Sequence, residues 1–175
     1  MHADPEVATG VLITGVYGTG KSSVAAEIAV LLERQASRCA ALDLDWLMWF
    51  DPGPAGRAGE QEVLLQNVRD VVRNYVAAGV RWFILAGAVP DAASLDALRA
   101  AVGFPLHVVR LTVPLEEIER RLEADVTTGR RDDLEVATEW LAAGTGVGIE
   151  ELVVDNDGPI RAVASSIARW LGWTA

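Results

Sequence analysis

Residues 15–22 read GVYGTGKS, and they stand between the apolar run VLIT at 11–14 and a segment with apolar residues every three or four positions. The run VLIT has the length and the side chains of a buried strand. The residues that follow the glycines at helical spacing are Val24, Ile28, Leu31 and Leu32, which form one helix face. The sequence therefore predicts a strand, a glycine-rich loop and a helix, in that order.

These residues fit the pattern GxxxxGK[ST], the Walker A motif. Its glycines let the backbone turn so that amide N–H groups at the helix N-terminus converge on phosphate oxygens. Lys21 is expected to reach the β- and γ-phosphates, and Ser22 to ligate magnesium. A structural turn has no need of Lys-Ser after its last glycine, so the motif predicts binding of ATP or GTP with Mg²⁺. The predicted nucleotide-binding residues here are Gly15, Val16, Tyr17, Gly18, Thr19, Gly20, Lys21, Ser22 and Ser23.

Four further apolar runs alternate with helical patterns: CAALDL at 39–44, WFILAG at 82–87, HVVRLTV at 107–113 and LVVD at 152–155. A helix is expected near 134–142 and another after Pro159, which suits a first helical turn. Strands that alternate with helices indicate a parallel sheet covered on both faces. We therefore expect an α/β protein with five parallel strands in three layers, as a single domain over residues 1–175.

The chain has 175 residues, with 15 Lys and Arg against 25 Asp and Glu, and a net charge of −10. Nucleic-acid-binding proteins usually present a basic face, so no nucleic-acid partner is expected. No apolar run approaches the roughly 20 residues that cross a bilayer, and residues 1–10 lack a signal-peptide pattern. These features predict a soluble, cytoplasmic protein without a membrane partner. They leave its oligomeric state open.

Two acids follow the second predicted strand, in LDLD at 42–45. Asp43 and Asp45 alternate, so in an extended chain both would point to the same side. The strand WFILAG ends without the acid that GTPases and motor ATPases carry at this point. Ligands of parallel sheets bind beyond the carboxyl ends of the strands. The pair is therefore expected beside the phosphate loop, where it favours phosphoryl transfer; the alternative is two solvated acids at a strand end.

With GVYGTGKS, LDLD and the segment RRLEADVTTGRRDD at 120–133, nearly the whole chain resembles the P-loop small-molecule kinases. It resembles in particular shikimate kinase, gluconate kinase, adenylylsulfate kinase and chloramphenicol phosphotransferase. The resemblance implies the P-loop NTPase fold with a small lid at about 120–135, and ATP with Mg²⁺ as cofactors. It also implies that Asp43 holds the magnesium through water and that Asp45 is the base that takes the acceptor hydroxyl.

In the lid, the resemblance implies that Arg121 packs on the adenine and that Arg130 or Arg131 is the catalytic arginine, with Arg130 taken first. Relatives often read RLxxR, where this chain has Asp125. A charged, solvated helix end is the alternative for this segment. The residues LVVDNDGPI at 152–160 resemble the segment that cups the nucleotide base, with a contact at Asn156. They also suit an ordinary turn, in which Asp157 would cap the last helix.

The acceptor side begins with WLMWF at 46–50 and continues into DPGPAGRAGE at 51–60, so residues 46–60 are expected to form a mobile loop. The aromatic residues form either a wall of the acceptor pocket or the core of a helix. Four arginines are candidates for an anionic acceptor, or else solvated positions: Arg57, Arg69, Arg73 and Arg81. The predicted function is an ATP- and Mg-dependent phosphotransferase acting on a hydroxyl of a small molecule. The alternatives are a nucleoside or nucleotide kinase, and a regulatory module that binds a nucleotide without an acceptor.

Overall fold

A computed structural model describes residues 7–50, 59–124 and 130–174, with the backbone alone at residues 130 and 131. Its centre is one sheet of five parallel strands in the order β2-β3-β1-β4-β5. The strands are β1 (Thr9–Thr14), β2 (Cys39–Asp43), β3 (Trp82–Ala86), β4 (Leu106–Thr112) and β5 (Leu152–Asp155). All five apolar runs predicted as strands are confirmed.

Helices connect the strands, as the alternation of patterns predicts. They are α1 (Lys21–Glu33), α2 (Leu44–Leu47), α3 (Glu60–Ala77), α4 (Ala92–Val102), α5 (Leu115–Ala124), α6 (Arg130–Ala143) and α7 (Ile160–Trp170). Helix α6 begins four residues before the predicted 134. The prediction that Asp157 caps the last helix is wrong, because Pro159 occupies the N-cap position and no side chain caps α7. Within the described ranges, no helix is long and apolar enough to cross a membrane.

The two faces of the sheet have separate hydrophobic cores, as the alternation of side chains along a strand requires. Val11 and Ile13 point to one face, where they join Ile28 of α1 and Ile167 of α7. Leu12 points to the other face, where α3 and α4 contribute apolar residues that include Val68, Val72, Leu95 and Leu98. This arrangement confirms the predicted three-layer fold.

The boundary between β2 and α2 differs from the prediction that Asp43 and Asp45 lie on one extended chain. The strand ends at Asp43, and Asp45 lies in the first turn of α2. Asp43 caps this helix, since its Oδ1 accepts a hydrogen bond from Asp45 N at 3.0 Å. Leu44 is buried, and the space beside it exists because residue 87 is glycine, where an added Cβ would lie 2.8 Å from the Leu44 Cδ1. Capping and burial together turn the chain into a helix one residue after Asp43.

The segment predicted as a mobile loop at 46–60 is helical at both ends. Trp46 and Leu47 complete α2, and α3 begins at Glu60. Asn67 Nδ2 of α3 donates to the carbonyl oxygen of Leu47 at 2.6 Å, which ties the two helices together. Residues 51–58 lie outside the described ranges.

Candidate active site

The loop between β1 and α1 has a backbone that requires glycine at three positions. Gly15, Gly18 and Gly20 have φ values of 138°, 80° and 86°, a region that other residues enter only with strain. An added Cβ would lie 2.6 Å from the Leu111 carbonyl oxygen at residue 15, and 2.7 Å from Asn156 Nδ2 at residue 20. Glycine at these positions therefore lets the loop pack closely against Leu111 and Asn156 in a backbone conformation that a side chain would strain.

Lys21 is held inside this loop although it carries a charge. It is the first residue of α1 and is only 7% exposed. Its Nζ donates to the carbonyl oxygen of Val16 at 3.1 Å and lies 5.1 Å from the centre of the Tyr17 ring. Thr19 also points inward, and its Oγ1 donates to the same Val16 oxygen at 2.8 Å. The ammonium group thus lies inside the loop, and its contact with phosphates stays a prediction.

Ser22 links the loop to the end of β2. Its Oγ donates to Asp43 Oδ2 at 2.6 Å, while Asp43 Oδ1 accepts from the backbone of Asp45. Both oxygens of Asp43 are therefore held in place, one toward α1 and one toward α2. Asp45 is half-buried and Ser23 is exposed. The described geometry brings the predicted magnesium residues together and places Asp45 in the next element.

Arg121 of α5 connects the lid region to the phosphate loop. Its Nη2 donates to the Asn156 carbonyl oxygen at 2.7 Å, and its Nη1 lies 3.5 Å from the Gly18 carbonyl oxygen. Its Nε donates to Glu117 Oε1 at 2.7 Å, and Arg120 binds the same carboxylate. Hydrogen bonds from Arg120 and then Arg121 lower the pKa of Glu117 to about 2. Glu117 is therefore ionised at neutral pH and orients Arg121.

Asn156, the predicted contact of the nucleotide base, holds the phosphate loop through its side chain. It follows β5 and is 1% exposed. Its Nδ2 donates to the Thr19 carbonyl oxygen at 2.7 Å, and its backbone N donates to the Thr112 carbonyl oxygen at 2.9 Å. Its Oδ1 has no hydrogen-bond partner among the described residues. The side chain fixes the phosphate loop to the carboxyl end of β5, next to Arg121.

Helices α5 and α6 rest on the phosphate loop through a small apolar cluster. Val16 of the loop packs with Ile118 and Leu122 of α5 and with Ala137 of α6. The predicted lid at 120–135 thus includes the end of α5 and the start of α6. Residues 125–129 lie outside the described ranges, as do the side chains of Arg130 and Arg131, so the catalytic role assigned to Arg130 stays a prediction.

A second glycine-rich loop, which the sequence analysis missed, lies against the first. It joins α6 to β5, and Gly144, Gly146 and Gly148 have φ values of 66°, 74° and 87°. Gly146 N donates to the Pro90 carbonyl oxygen at 2.8 Å. Together the two loops line a cavity of about 70 Å³. The signal in the sequence was a glycine at every second position of GTGVG.

Three of the arginines considered for an anionic acceptor lie at the opposite end of the sheet. Arg69, Arg73 and Arg81 line a groove of about 450 Å³ together with Ala8 and Phe104. Those two neighbours precede β1 and β4, so the groove lies at the amino ends of the strands. The phosphate loop lies at the carboxyl ends, roughly 20 Å away along a six-residue strand. These arginines are remote from the site, and Arg57 lies outside the described ranges.

The sequence and the fold were compared with those of known proteins. The family model described as "AAA domain" matches residues 11–140, whereas no curated protein matches the sequence. A sugar kinase from Janibacter sp. HTCC2649 superposes with a TM-score of 0.67 at 19% identity, covering 95% of this chain and 96% of that one. The shikimate kinase of Bacteroides thetaiotaomicron gives 0.65 at 15%, covering 94% and 98%.

The APS kinase of Mycobacterium tuberculosis, solved with AMPPNP and APS, gives a TM-score of 0.59 at 22% identity, covering 96% of this chain and 99% of that one. At such identities the superpositions establish the fold alone. They confirm the resemblance to the P-loop small-molecule kinases over nearly the full length of the chain. With its family model matched from β1 into α6, this chain belongs to the AAA domain family and has the P-loop fold of small-molecule kinases.

Proposed function

We propose that the protein transfers the γ-phosphoryl group of ATP to a hydroxyl group of a small molecule. The observation that carries this proposal is the hydrogen bond of 2.6 Å between Ser22 Oγ and Asp43 Oδ2. It ties the phosphate loop to the end of β2, and Asp45 follows in the first turn of α2. The phosphate-binding loop and the Asp45 carboxylate thus lie on adjoining elements.

The phosphates of ATP would be held by backbone amides of residues 15–22 and by Lys21. Magnesium, when bound, would offset charge on the phosphate oxygens. Ser22 suits this ion, since a hydroxyl that donates its proton to Asp43 keeps its lone pairs for a cation. Asp43 would then act through water. No group of three or more His, Cys, Asp or Glu in the described ranges could hold a metal, so phosphates and water would complete the ligand set.

Asp45 would act on the acceptor. In the transfer, the acceptor oxygen forms a bond to the γ-phosphorus, and the bond from that phosphorus to the oxygen bridging the β- and γ-phosphates breaks. The acceptor hydroxyl proton passes to the Asp45 carboxylate, and ADP leaves. We assign the adenine contact to Arg121 and Asn156, and stabilisation of the transferring group to Arg130.

A nucleotide kinase and a regulatory module are less well supported, whereas a nucleoside kinase is one form of the proposed transfer to an alcohol. A nucleotide kinase must bind an acceptor phosphate, yet Arg69, Arg73 and Arg81 lie at the far end of the sheet. A regulatory module needs an acid for magnesium, which Asp43 supplies, but it has no use for Asp45 beside that acid. Phosphotransfer to an alcohol uses both.

Incubation with ATP, Mg²⁺ and a pool of hydroxyl metabolites tests the proposal. ADP release should accompany a gain of about 80 daltons on a pool member. Lys21→Ala should abolish this gain, and Asp45→Asn should abolish it while ATP binding persists. Asp70→Asn, at a position on α3 that is 48% exposed, is the matched control and should retain activity. Full turnover by Asp45→Asn would remove Asp45 as the base, and nucleotide binding without any modified pool member would favour the regulatory module.

A further inference from the structure

Two tryptophans beside Asp45 are exposed and stacked on each other. Trp46 and Trp49 are 72% and 75% exposed, and their ring centres lie 5.6 Å apart with planes inclined by 23°. Tryptophan is buried on average, because its large apolar ring gains most from leaving water. A contiguous exposed aromatic surface is typical of a binding site. We name this pair the tryptophan platform.

The platform stands on a firmly anchored turn. Leu44 is buried in the core between the sheet and α3, and the Leu47 carbonyl oxygen accepts a hydrogen bond from Asn67 of α3. Asp43 caps the same turn and is itself bonded to Ser22 of the phosphate site. The indole rings therefore project from an element whose position is fixed relative to the phosphate loop, and the first of them is the next residue after Asp45.

The described segments on this side of the site carry only negative charge. Three described segments border the carboxyl ends of β2 and β3: residues 43–50, 59–68 and 86–98. They contain no Lys or Arg, and their acids are Asp43, Asp45, Glu60, Glu62, Asp91 and Asp96. Proteins recognise carboxylate or phosphate groups chiefly with arginine, lysine and N–H donors. This composition repels an anionic acceptor and suits one that is neutral or positively charged.

We propose that the tryptophan platform binds the phosphoryl acceptor, and that the acceptor is a ring-bearing alcohol without negative charge. The apolar face of the ring packs on an indole, and its hydroxyl reaches Asp45. Sugars, nucleosides and aromatic alcohols have this chemistry, and an amino substituent adds attraction to the indole face and to the acids. This inference rests on the proposed function, because it names the substrate class of that same site.

The test uses matched pairs of alcohols that differ by an anionic group: ribose and ribose 5-phosphate, adenosine and AMP, and benzyl alcohol and 4-(hydroxymethyl)benzoate. ADP formation gives kcat and KM for each. The neutral member of a pair should be the substrate. Trp46→Ala and Trp49→Ala should raise its KM about three- to tenfold, with kcat and the KM for ATP unchanged. Trp46→Phe should restore most of the loss.

Trp170→Ala is the matched control, since Trp170 is a 42% exposed tryptophan on α7 beside His107, and its KM values should equal those of the wild type. Preference for the anionic members, or an unchanged KM in both platform variants, would overturn the proposal. So would a dimer that the two alanine variants dissociate, because the platform would then belong to a second copy of the chain.

Binding without turnover separates this inference from the proposed function. The indole N–H resonances of Trp46 and Trp49, assigned from the alanine variants, should shift when a neutral ring alcohol is added. If they shift and no ADP forms, the platform stands and phosphotransfer fails. If the wild type, Trp46→Ala and Trp49→Ala all form ADP equally, phosphotransfer stands and the proposed role of the platform is wrong. If no ring alcohol shifts either resonance, the platform is overturned.

Discussion

At the scale of single residues, Gly20 shows how tightly the phosphate loop is built. Its φ is 86°, and a Cβ there would lie 2.7 Å from Asn156 Nδ2. Gly20→Ala should cost about 1–3 kcal/mol of unfolding free energy, because it strains the backbone and displaces Asn156, and ATP affinity should fall with it. Denaturant unfolding and nucleotide titration measure both. Gly103→Ala is the control, because Gly103 also has a positive φ, 71°, but an added Cβ there meets nothing within 4 Å. It should lower stability without lowering ATP affinity, and an equal loss of affinity in the two variants would contradict the role of Gly20.

Ser22 makes a second prediction at this scale. Its hydroxyl bonds Asp43 Oδ2 at 2.6 Å and is proposed to ligate magnesium. Ser22→Ala should therefore weaken the Mg²⁺-dependent part of ATP affinity by about tenfold or more, while affinity measured with EDTA stays unchanged. Isothermal titration with and without the ion separates the two. Ser166→Ala is the control, because the Ser166 hydroxyl donates to Val163 of its own helix α7, and it should behave as the wild type. An equal loss in EDTA would remove Ser22 from the metal site.

The residues of the motif could be predicted because they are adjacent in the sequence. The glycines allow the backbone to turn, and Lys21 and Ser22 follow on the first turn of a helix. The contact of the Asn156 side chain could not be predicted, because its partner Thr19 is 137 positions away and only the folded sheet brings them together. The same holds for the hydrogen bond from Ser22 to Asp43, although the sequence placed both residues at one edge of the sheet. Roles in catalysis remain predictions at Asp45 and Arg130.

At the scale of elements, α5 holds an arginine over the phosphate loop. Glu117 orients Arg121 through a hydrogen bond of 2.7 Å, so Glu117→Gln should weaken ATP binding several-fold by releasing the guanidinium. Glu116→Gln, exposed on the next residue, is the control and should have no effect. Fluorescence titration with a labelled ATP analogue measures the affinities. Equal affinity of the two variants would show that Arg121 needs no orientation by Glu117.

The difference in ATP affinity between the wild type and Glu117→Gln should depend on pH through the pKa of Glu117. Hydrogen bonding to the two arginines lowers the pKa of Glu117 from 4.5 to about 2. A carboxyl group whose pKa is lower in the folded protein stabilises the fold fully when the pH is above its pKa in the unfolded chain. This stabilisation is lost as the pH falls toward its pKa in the folded protein. The ratio of wild-type to Glu117→Gln affinity should therefore be constant between about pH 5 and pH 8. A ratio that shrinks toward pH 5 would contradict the assigned pairing.

The types of the elements could be predicted from the spacing of apolar residues. A predicted boundary was wrong where a side-chain hydrogen bond started a helix inside an apolar run. The run CAALDL predicts a strand through Leu44, yet the Asp43 cap starts α2 there. The loop at 144–148 has no regular apolar spacing, so its structure could not be predicted from the sequence pattern. Its position depends on the contact between Gly146 and Pro90, which belongs to the tertiary structure.

At the scale of the whole molecule, nucleotide binding should stabilise the fold by linkage. ATP with Mg²⁺ at one hundred times its Kd should add about 2.7 kcal/mol to the unfolding free energy, which raises the Tm of a chain of this size by about 5–10 °C. Lys21→Ala should lose most of this shift. Asp45→Asn should keep it, because Asp45 is assigned to the acceptor. Loss of the shift in Asp45→Asn would place that residue in the nucleotide site instead.

The overall architecture was predictable because alternating strand and helix patterns admit few arrangements, with right-handed crossovers in a parallel sheet. The spatial order β2-β3-β1-β4-β5 was not read from the sequence, since long-range pairing leaves no local mark on it. That order puts β3 between β2 and β1, and Asp43 still reaches the phosphate loop because Ser22 on α1 spans the gap.

Transfer of the γ-phosphoryl group from ATP to the alcohol can be measured directly with an oxygen isotope. ATP carrying three ¹⁸O atoms on its terminal phosphoryl group is incubated with Mg²⁺, the protein and a neutral ring alcohol. The molecular mass of the alcohol is then measured by mass spectrometry. A gain of about 86 daltons is expected, because all three labelled oxygens move with the phosphorus, and no gain is expected with Asp45→Asn. Labelled inorganic phosphate beside an unmodified alcohol would contradict the proposed transfer.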